Sequence, residues 1–192
     1  MKRLILASQS DTRAKMLREI GYDFEIIPSD YEEDMSMPLP AEELAKTLAT
    51  GKAEAVAAKQ QNAVIVAADT FVVHNDTFLG KPLETHKAKL MLHELSGTTH
   101  SLVTGFCVID TESGQKVSGN SSCQVTLREL TDDEIDAYIR TKEPLVKAGG
   151  YDFTQKGKAI VESLSGDIYA AGGLPISKIV PILQKMDIPL PW

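Results

Sequence analysis

Residues 3–13 read Arg-Leu-Ile-Leu-Ala-Ser-Gln-Ser-Asp-Thr-Arg, an apolar run that stops abruptly at hydroxyl side chains. Residues 3–7 are short and apolar, as a buried strand requires. Ser10 has the chemistry of a helix N-cap. Ala14, Leu17 and Ile20 then recur at spacing three, and Gly21 supplies the stop. Outward from this strand-to-helix turn, residues 24–27 read as a second strand and residues 28–40 as an acidic, irregular loop. A helix is predicted over residues 41–59, with Leu44, Leu48 and Ala55 on one face. Residues 64–68 form a strongly apolar strand that runs directly into Asp69-Thr70, and residues 71–73 continue extended. His74-Asn75-Asp76 supplies a turn before residues 77–79, and Gly80-Lys81-Pro82 breaks the chain. A helix over 85–95 with Thr85 as N-cap and a hairpin over 99–128, turning near 111–114, follow. Thr131 to Glu134 spells a capping box for a helix to about Arg140. The glycine pair Gly149-Gly150, a strand near 159–164 and a tail helix from Pro175, ending before Pro189, complete the chain. Strands and helices mixed in this order predict a mixed α/β (α+β) protein, with a central twisted sheet flanked by helices.

The length of 192 residues suits one domain, or two tightly packed lobes around a shared cleft. Lysine and arginine number 20 against 27 aspartates and glutamates, a net charge of −7. A non-specific nucleic-acid binder shows the opposite balance, so any bound anion must meet a local basic cluster or a metal ion. No apolar run approaches the roughly 20 residues of a membrane span. The apolar stretch Leu4 to Ala7 is too short for a secretory signal, so a cytoplasmic location is expected. Cys107 and Cys123 make no disulfide framework and read as reduced core or strand residues. The four histidines (His74, His86, His93, His100) are scattered, without zinc-site spacing. A GxxxxGK[ST] loop, a GxGxxG after the first strand and a GxSxG elbow are all missing.

Five features could carry chemistry. The turn from Ser8 to Arg13 joins two hydroxyls and an arginine to a helix N-terminus, a plausible phosphate cradle, although an ordinary capped helix reads the same way. Asp69 ends an apolar strand, where α/β sheets collect ligands, but aspartate is also a common turn former. The acidic loop holds Glu32, Glu33 and Asp34; folded against Asp69, it would add the hard oxygen donors that Mg²⁺ takes. Lys52 follows Gly51 inside a predicted helix, and Lys81 sits in a sharp turn; alone, each reads as a solvated lysine. Finally, Lys147-Ala148-Gly149-Gly150-Tyr151 allows close backbone approach to a ligand, or is simply a tight turn beside a core tyrosine.

Taken together and in order, these segments resemble the Maf family, the Maf-like nucleoside triphosphate pyrophosphatases. The likeness runs from Leu4 to about Ile176. It rests on Leu4-Ile5-Leu6-Ala7-Ser8-Gln9-Ser10 with Arg13, Glu32-Glu33, Lys52-Ala53, Ala68-Asp69-Thr70 and Gly80-Lys81-Pro82. Leu95 to His100, Val103-Thr104-Gly105, Pro144 to Tyr151 and Gly173-Leu174-Pro175 complete it. The resemblance implies a single Maf-like domain over residues 1–192, similar to the inosine triphosphatase fold, with two lobes around a deep nucleotide-binding cleft. It implies hydrolysis of a nucleoside triphosphate between its α- and β-phosphates, to a monophosphate and diphosphate, with Mg²⁺ or Mn²⁺. By position, Asp69 matches the catalytic proton acceptor, Glu33 an acidic active-site residue, and Lys52 and Lys81 the basic ones. Asp69 and Glu33 would hold the metal, and Ser8, Ser10 and Arg13 match the phosphate-binding turn.

The family signature usually reads Ser-Pro-Arg-Arg; here Asp11 stands for the proline and Thr12 for the first arginine. In the resemblance, base choice involves the position of Thr12, that of Thr70, and one beyond the Ala-Gly-x-Tyr turn. That last position is Thr154, or Gln155 with a one-residue shift. The dTTP/UTP-selective subgroup carries Arg, Thr and Gln at these places, and this chain keeps the middle one. The subgroup acting on 7-methyl-GTP carries Trp, Gln and Glu, none of which is present. The expected partner is a small-molecule nucleotide, with neither nucleic acid nor membrane, and the hairpin at 99–128 offers a pairing surface for a homodimer. The competing reading is a catalytically weak nucleotide sensor tied to septum formation or cell division. A haloacid-dehalogenase-type phosphatase would need a second carboxylate two residues after Asp69, where Phe71 stands.

Overall fold

The computed structural model describes residues 2–192. Strand β1 (Arg3–Leu6) leads into helix α1 (Asp11–Glu19), followed by the short β2 (Glu25–Ile26) and the long α2 (Ala41–Ala57). Then come β3 (Ala63–His74), β4 (Thr77–Leu79), α3 (Thr85–Leu95), and a hairpin of β5 (Thr99–Asp110) and β6 (Lys116–Leu127). Helix α4 (Asp132–Arg140), strand β7 (Val161–Gly166), and helices α5 (Ile168–Ala171) and α6 (Ile176–Lys185) close the order. Strands run β2-β1-β3-β5-β6-β7, with β4 added to β3. β1 pairs in parallel with β2 and β3, whereas β4 and β7 join antiparallel, so the central sheet of the expected α/β architecture is a mixed one. No helix among the described residues is long and apolar enough to cross a membrane.

The chain divides into two compact units, residues 1–69, 104–121 and 173–192 in the first, and 70–103 and 122–172 in the second. In the first, alternation along each strand sends side chains to opposite faces. Leu4, Leu6, Val64, Val66 and Ala68 meet Leu17 of α1 and Ile179 and Leu183 of α6. Ile5, Ala7, Ile65 and Ala67 meet Ala53 and Val56 of α2 on the other face. α2 lies close enough that a Cβ on Gly105 would stand 2.1 Å from the carbonyl carbon and oxygen of Ala45. In the second unit, Ala88, Leu92 and Leu95 of α3 pack with Ile135, Tyr138 and Ile139 of α4 and with Val125, Leu127 and Tyr151.

Four sequence expectations shift. Asp69 does not end its strand: pairing of Val72 with Leu79 and His74 with Thr77 carries β3 five residues further. Asn75 and Asp76 both have positive φ (46° and 58°), the two-residue turn that hairpin twist favours. Thr85 is already helical, and the extended Glu84 takes the N-cap without a side-chain bond. The strand expected near 159–164 begins only at Val161, because residues 156–159 are wound into a 3₁₀ turn. Pro175, expected as the first helical residue, sits at the N-cap of α6, and the helix begins one residue later at Ile176.

A buried histidine gives the second unit a pH dependence. His100 is 2% exposed, and its Nε2 lies 2.7 Å from the Tyr151 hydroxyl. Burial, reinforced by His74, lowers its pKa to about 4. The folded ring therefore stays neutral, while the unfolded chain takes up a proton below its ordinary value near 6.5. Stability should fall by about 3 kcal/mol as pH drops from 6.5 to 4. Chemical denaturation across that window checks this, and the slope should flatten in His100→Gln.

Candidate active site

Past β1 the chain enters α1 through a web of short bonds. The Ser10 hydroxyl caps the helix by accepting the Arg13 backbone N–H at 3.4 Å. Ser8 Oγ accepts both the Ser10 N–H (3.2 Å) and Arg13 Nη1 (3.1 Å). Arg13 Nε donates to the Gly173 carbonyl at 2.7 Å, which fixes the guanidinium plane from a second direction. Loss of water around this guanidinium lowers its pKa, and the negative fields of Asp69 and Glu33 pull it back up. Arginine stays charged under any physiological condition.

Lys52 projects from α2 beside Asp69 of β3. Its ammonium contacts Asp69 Oδ1 and, at 2.7 Å, Glu33 Oε1. The side chains of Lys52 and Asp69 are 12% and 8% exposed, against 45% for Glu33. The acidic loop thus does fold toward Asp69, joined to it through a lysine. Gly51 helps to place that loop, because the ring of Tyr31 lies where a Cβ would be, 2.4 Å away. A glycine inside a helix costs about 1 kcal/mol relative to alanine, and here the missing side chain seats the tyrosine two residues before Glu33.

Ser8, Ser10, Arg13, Glu33, Lys52 and Asp69 are therefore gathered in the first unit. Thr12, also in this unit, is buried. Thr70, Lys81, Thr154 and Gln155 belong to the second. There the Gly80-Lys81-Pro82 turn is pinned to the later glycine-rich turn: Gly149 N–H donates to the Gly80 carbonyl at 3.1 Å, and Leu83 N–H to the Leu145 carbonyl at 2.9 Å. Lys81 itself is exposed.

Thr154 and Gln155 are organised by a residue that sequence reasoning passed over. Asp152 Oδ1 accepts the Thr154 N–H (2.9 Å) and hydroxyl (2.6 Å), and Oδ2 accepts Gln155 Nε2 (3.0 Å). Lys147 Nζ is 2.8 Å from the same Oδ2. Burial would raise the Asp152 pKa, but Lys147 and the Thr154 hydrogen bonds outweigh it and hold the carboxyl below its ordinary value. The Asp-x-Thr spacing was the available signal, since aspartate bonds its own backbone two residues on. An open hollow of about 530 Å³ in this unit is lined by Glu143, Gln155, Lys156, Lys158 and Ala159.

Among the described residues no group of three or more His, Cys, Asp or Glu side chains is placed to hold a metal ion. The hard-donor pair is Asp69 with Glu33. Mg²⁺ suits such a pair, because it binds through one or two carboxylates and completes its shell with water and substrate phosphate oxygens.

A dTTP/UTP pyrophosphatase of Methanosarcina mazei is 41% identical over 189 residues, 98% of this chain and 96% of that one. One from Bacillus cereus is 41% identical over 188 residues, 98% of this chain and 92% of that one. Among solved structures, a HAM1 protein from Coxiella burnetii aligns with 96% of this chain and 100% of its own at a TM-score of 0.47 and 14% identity. The family model described as Maf-like protein spans residues 3–186, and the residues it spans include every polar side chain gathered around Asp69 and Asp152, so this chain belongs to the Maf family.

Proposed function

We propose that this hydrolase, a nucleoside triphosphate pyrophosphatase by its family and relatives, acts on dTTP and UTP. It cleaves between the α- and β-phosphates and releases a nucleoside monophosphate and diphosphate. The observation that carries this reading is Lys52 set between Asp69 and Glu33, in the same unit as an Arg13 oriented by Ser8 and Gly173. A triphosphate brings about four negative charges, which an acidic protein accommodates only through directed cations. Arg13 and Lys52 supply two, and Lys81 is assigned the third. The Ser8 and Ser10 turn, at the N-terminus of α1, orients phosphate oxygens.

Asp69 accepts the proton of the attacking water, and Lys52 and Arg13 offset charge on the departing diphosphate. Mg²⁺ or Mn²⁺, held by the Asp69 and Glu33 carboxylates, would neutralise phosphate charge and acidify a bound water. Thr12, Thr70, Thr154 and Gln155 choose the base. The activities by which the relatives are named favour dTTP and UTP, and Thr70 agrees with that choice.

The test is product analysis over a panel of canonical, methylated and deaminated nucleoside triphosphates with Mg²⁺ or Mn²⁺. Diphosphate release, fastest with dTTP or UTP, is expected. Orthophosphate release would overturn the reaction, faster release from 7-methyl-GTP would overturn the substrate, and nucleotide binding without any product would favour the sensor.

A further inference from the structure

The Tyr138 hydroxyl of α4 is buried and stands where two segments of the chain meet. It accepts the Asp152 backbone N–H at 3.2 Å and donates to Glu143 Oε1 at 2.7 Å. Glu143 Oε1 also accepts the Gly157 N–H (2.9 Å), and its Oε2 the Lys156 N–H (3.2 Å). Burial and the Glu143 carboxylate hold the phenol well above its ordinary pKa, so it remains a donor at any working pH. Two side chains therefore satisfy three backbone donors, at the first residue and at the last two residues of the segment 152–157.

Between those anchors, hydrogen bonds from Thr154 and Gln155 end on Asp152. Its carboxylate takes Thr154 and Gln155, and its carbonyl takes the Gln155 N–H at 3.1 Å. A shift of Asp152 thus moves both residues that follow it. Its backbone in turn is held through Tyr138. Asp152 and Gly157 are buried, and buried donors left without an acceptor are costly, so the segment has one favourable arrangement while Tyr138 and Glu143 are intact.

We propose that Tyr138 and Glu143 are positioning residues for base selection, acting through Asp152 on Thr154 and Gln155 without touching the nucleotide. This rests on the reading above that Thr154 and Gln155 choose the base. Loss of the clamp weakens discrimination between pyrimidines more than it slows turnover, because the groups assigned to phosphate chemistry lie on other elements.

The experiment measures kcat and KM for UTP, dTTP and CTP in wild type, Thr154→Ala, Gln155→Ala, Tyr138→Phe, Glu143→Ala and Glu143→Gln. Tyr138→Phe keeps the ring and removes only the hydroxyl. It should cut the UTP-over-CTP ratio of kcat/KM by about fivefold, through KM, with kcat for UTP changed less than about twofold. Glu143→Ala should match it. Glu143→Gln should recover most of the ratio, since one amide oxygen can still serve Tyr138 and Gly157. Amide exchange at Asp152 and Gly157 should accelerate in Tyr138→Phe, a second readout that stands if Glu143→Ala fails to fold. A ratio moved by Thr154→Ala or Gln155→Ala but unchanged in Tyr138→Phe and Glu143→Ala overturns the inference alone. A ratio unmoved by Thr154→Ala and Gln155→Ala overturns the base-selection reading, and the inference with it.

Discussion

Asp69→Asn should lower kcat/KM for dTTP or UTP by about three orders of magnitude, within the range that loss of a positioned general base produces. The two side chains are nearly isosteric, so shape is preserved and only charge and basicity are lost. An amide oxygen cannot take up the proton of an attacking water near neutral pH. It would also be a poorer cation ligand, which adds to the same loss. The fold should tolerate the change, because Lys52 keeps Glu33 at 2.7 Å and is not left as an unpaired buried charge. A melting temperature within a few degrees of wild type, beside collapsed turnover, is the expected pair of measurements. Activity above a tenth of wild type would remove Asp69 from the role of proton acceptor. Glu33→Gln should cost less, about ten- to a hundredfold, since that carboxylate is nearly half exposed and water can partly stand in for it.

The second large effect is on stability. Gly105→Ala would place a methyl group 2.1 Å from the backbone of Ala45. Backbone cannot turn aside as a flexible side chain can, so α2 must lift from the sheet. Overpacking typically costs 1–3 kcal/mol, and a methyl driven into a helix backbone should exceed that, at about 4 kcal/mol or more. Lifting α2 also displaces Lys52 from Asp69, so any folded fraction should show weakened activity. Urea unfolding of Gly105→Ala checks the first claim, and turnover per folded molecule checks the second. A loss of stability below about 1 kcal/mol would mean that α2 and β5 do not touch at this point.

Much of this was legible where the deciding forces are local. Ser10 as N-cap, the Thr131 capping box and the Asn75-Asp76 turn each depend on a few neighbouring residues, and each formed as read. What failed was set from a distance. Asp69 looked like a strand end because a carboxylate usually interrupts an apolar run, yet the β4 partner extends the ladder beyond it. The strand expected at Ala159 was displaced by a 3₁₀ turn whose Lys156 and Gly157 N–H groups are taken by Glu143, thirteen and fourteen residues earlier. Within the site, residue types alone suggested that Glu33 and Asp69 could meet, but not that Lys52 would stand between them. Asp152 went unnoticed because its side-chain partners Lys147, Thr154 and Gln155 lie within five residues and resemble an ordinary turn, while the tyrosine that gives the turn its importance sits on a different helix.

The lysine between two carboxylates has a practical side. Acids gathered for function usually repel one another until something is bound, and such proteins are fragile when stripped. Here a counter-charge is part of the chain itself, and the Lys52 ammonium already holds both carboxylates in the resting protein. Treatment with a chelator should stop turnover yet leave the melting temperature within about 2 °C of the untreated value. The protein should therefore withstand storage and refolding in metal-free buffer and recover activity when the ion is restored. The same lysine thus serves durability at rest and charge balance in turnover, so altering it should cost both.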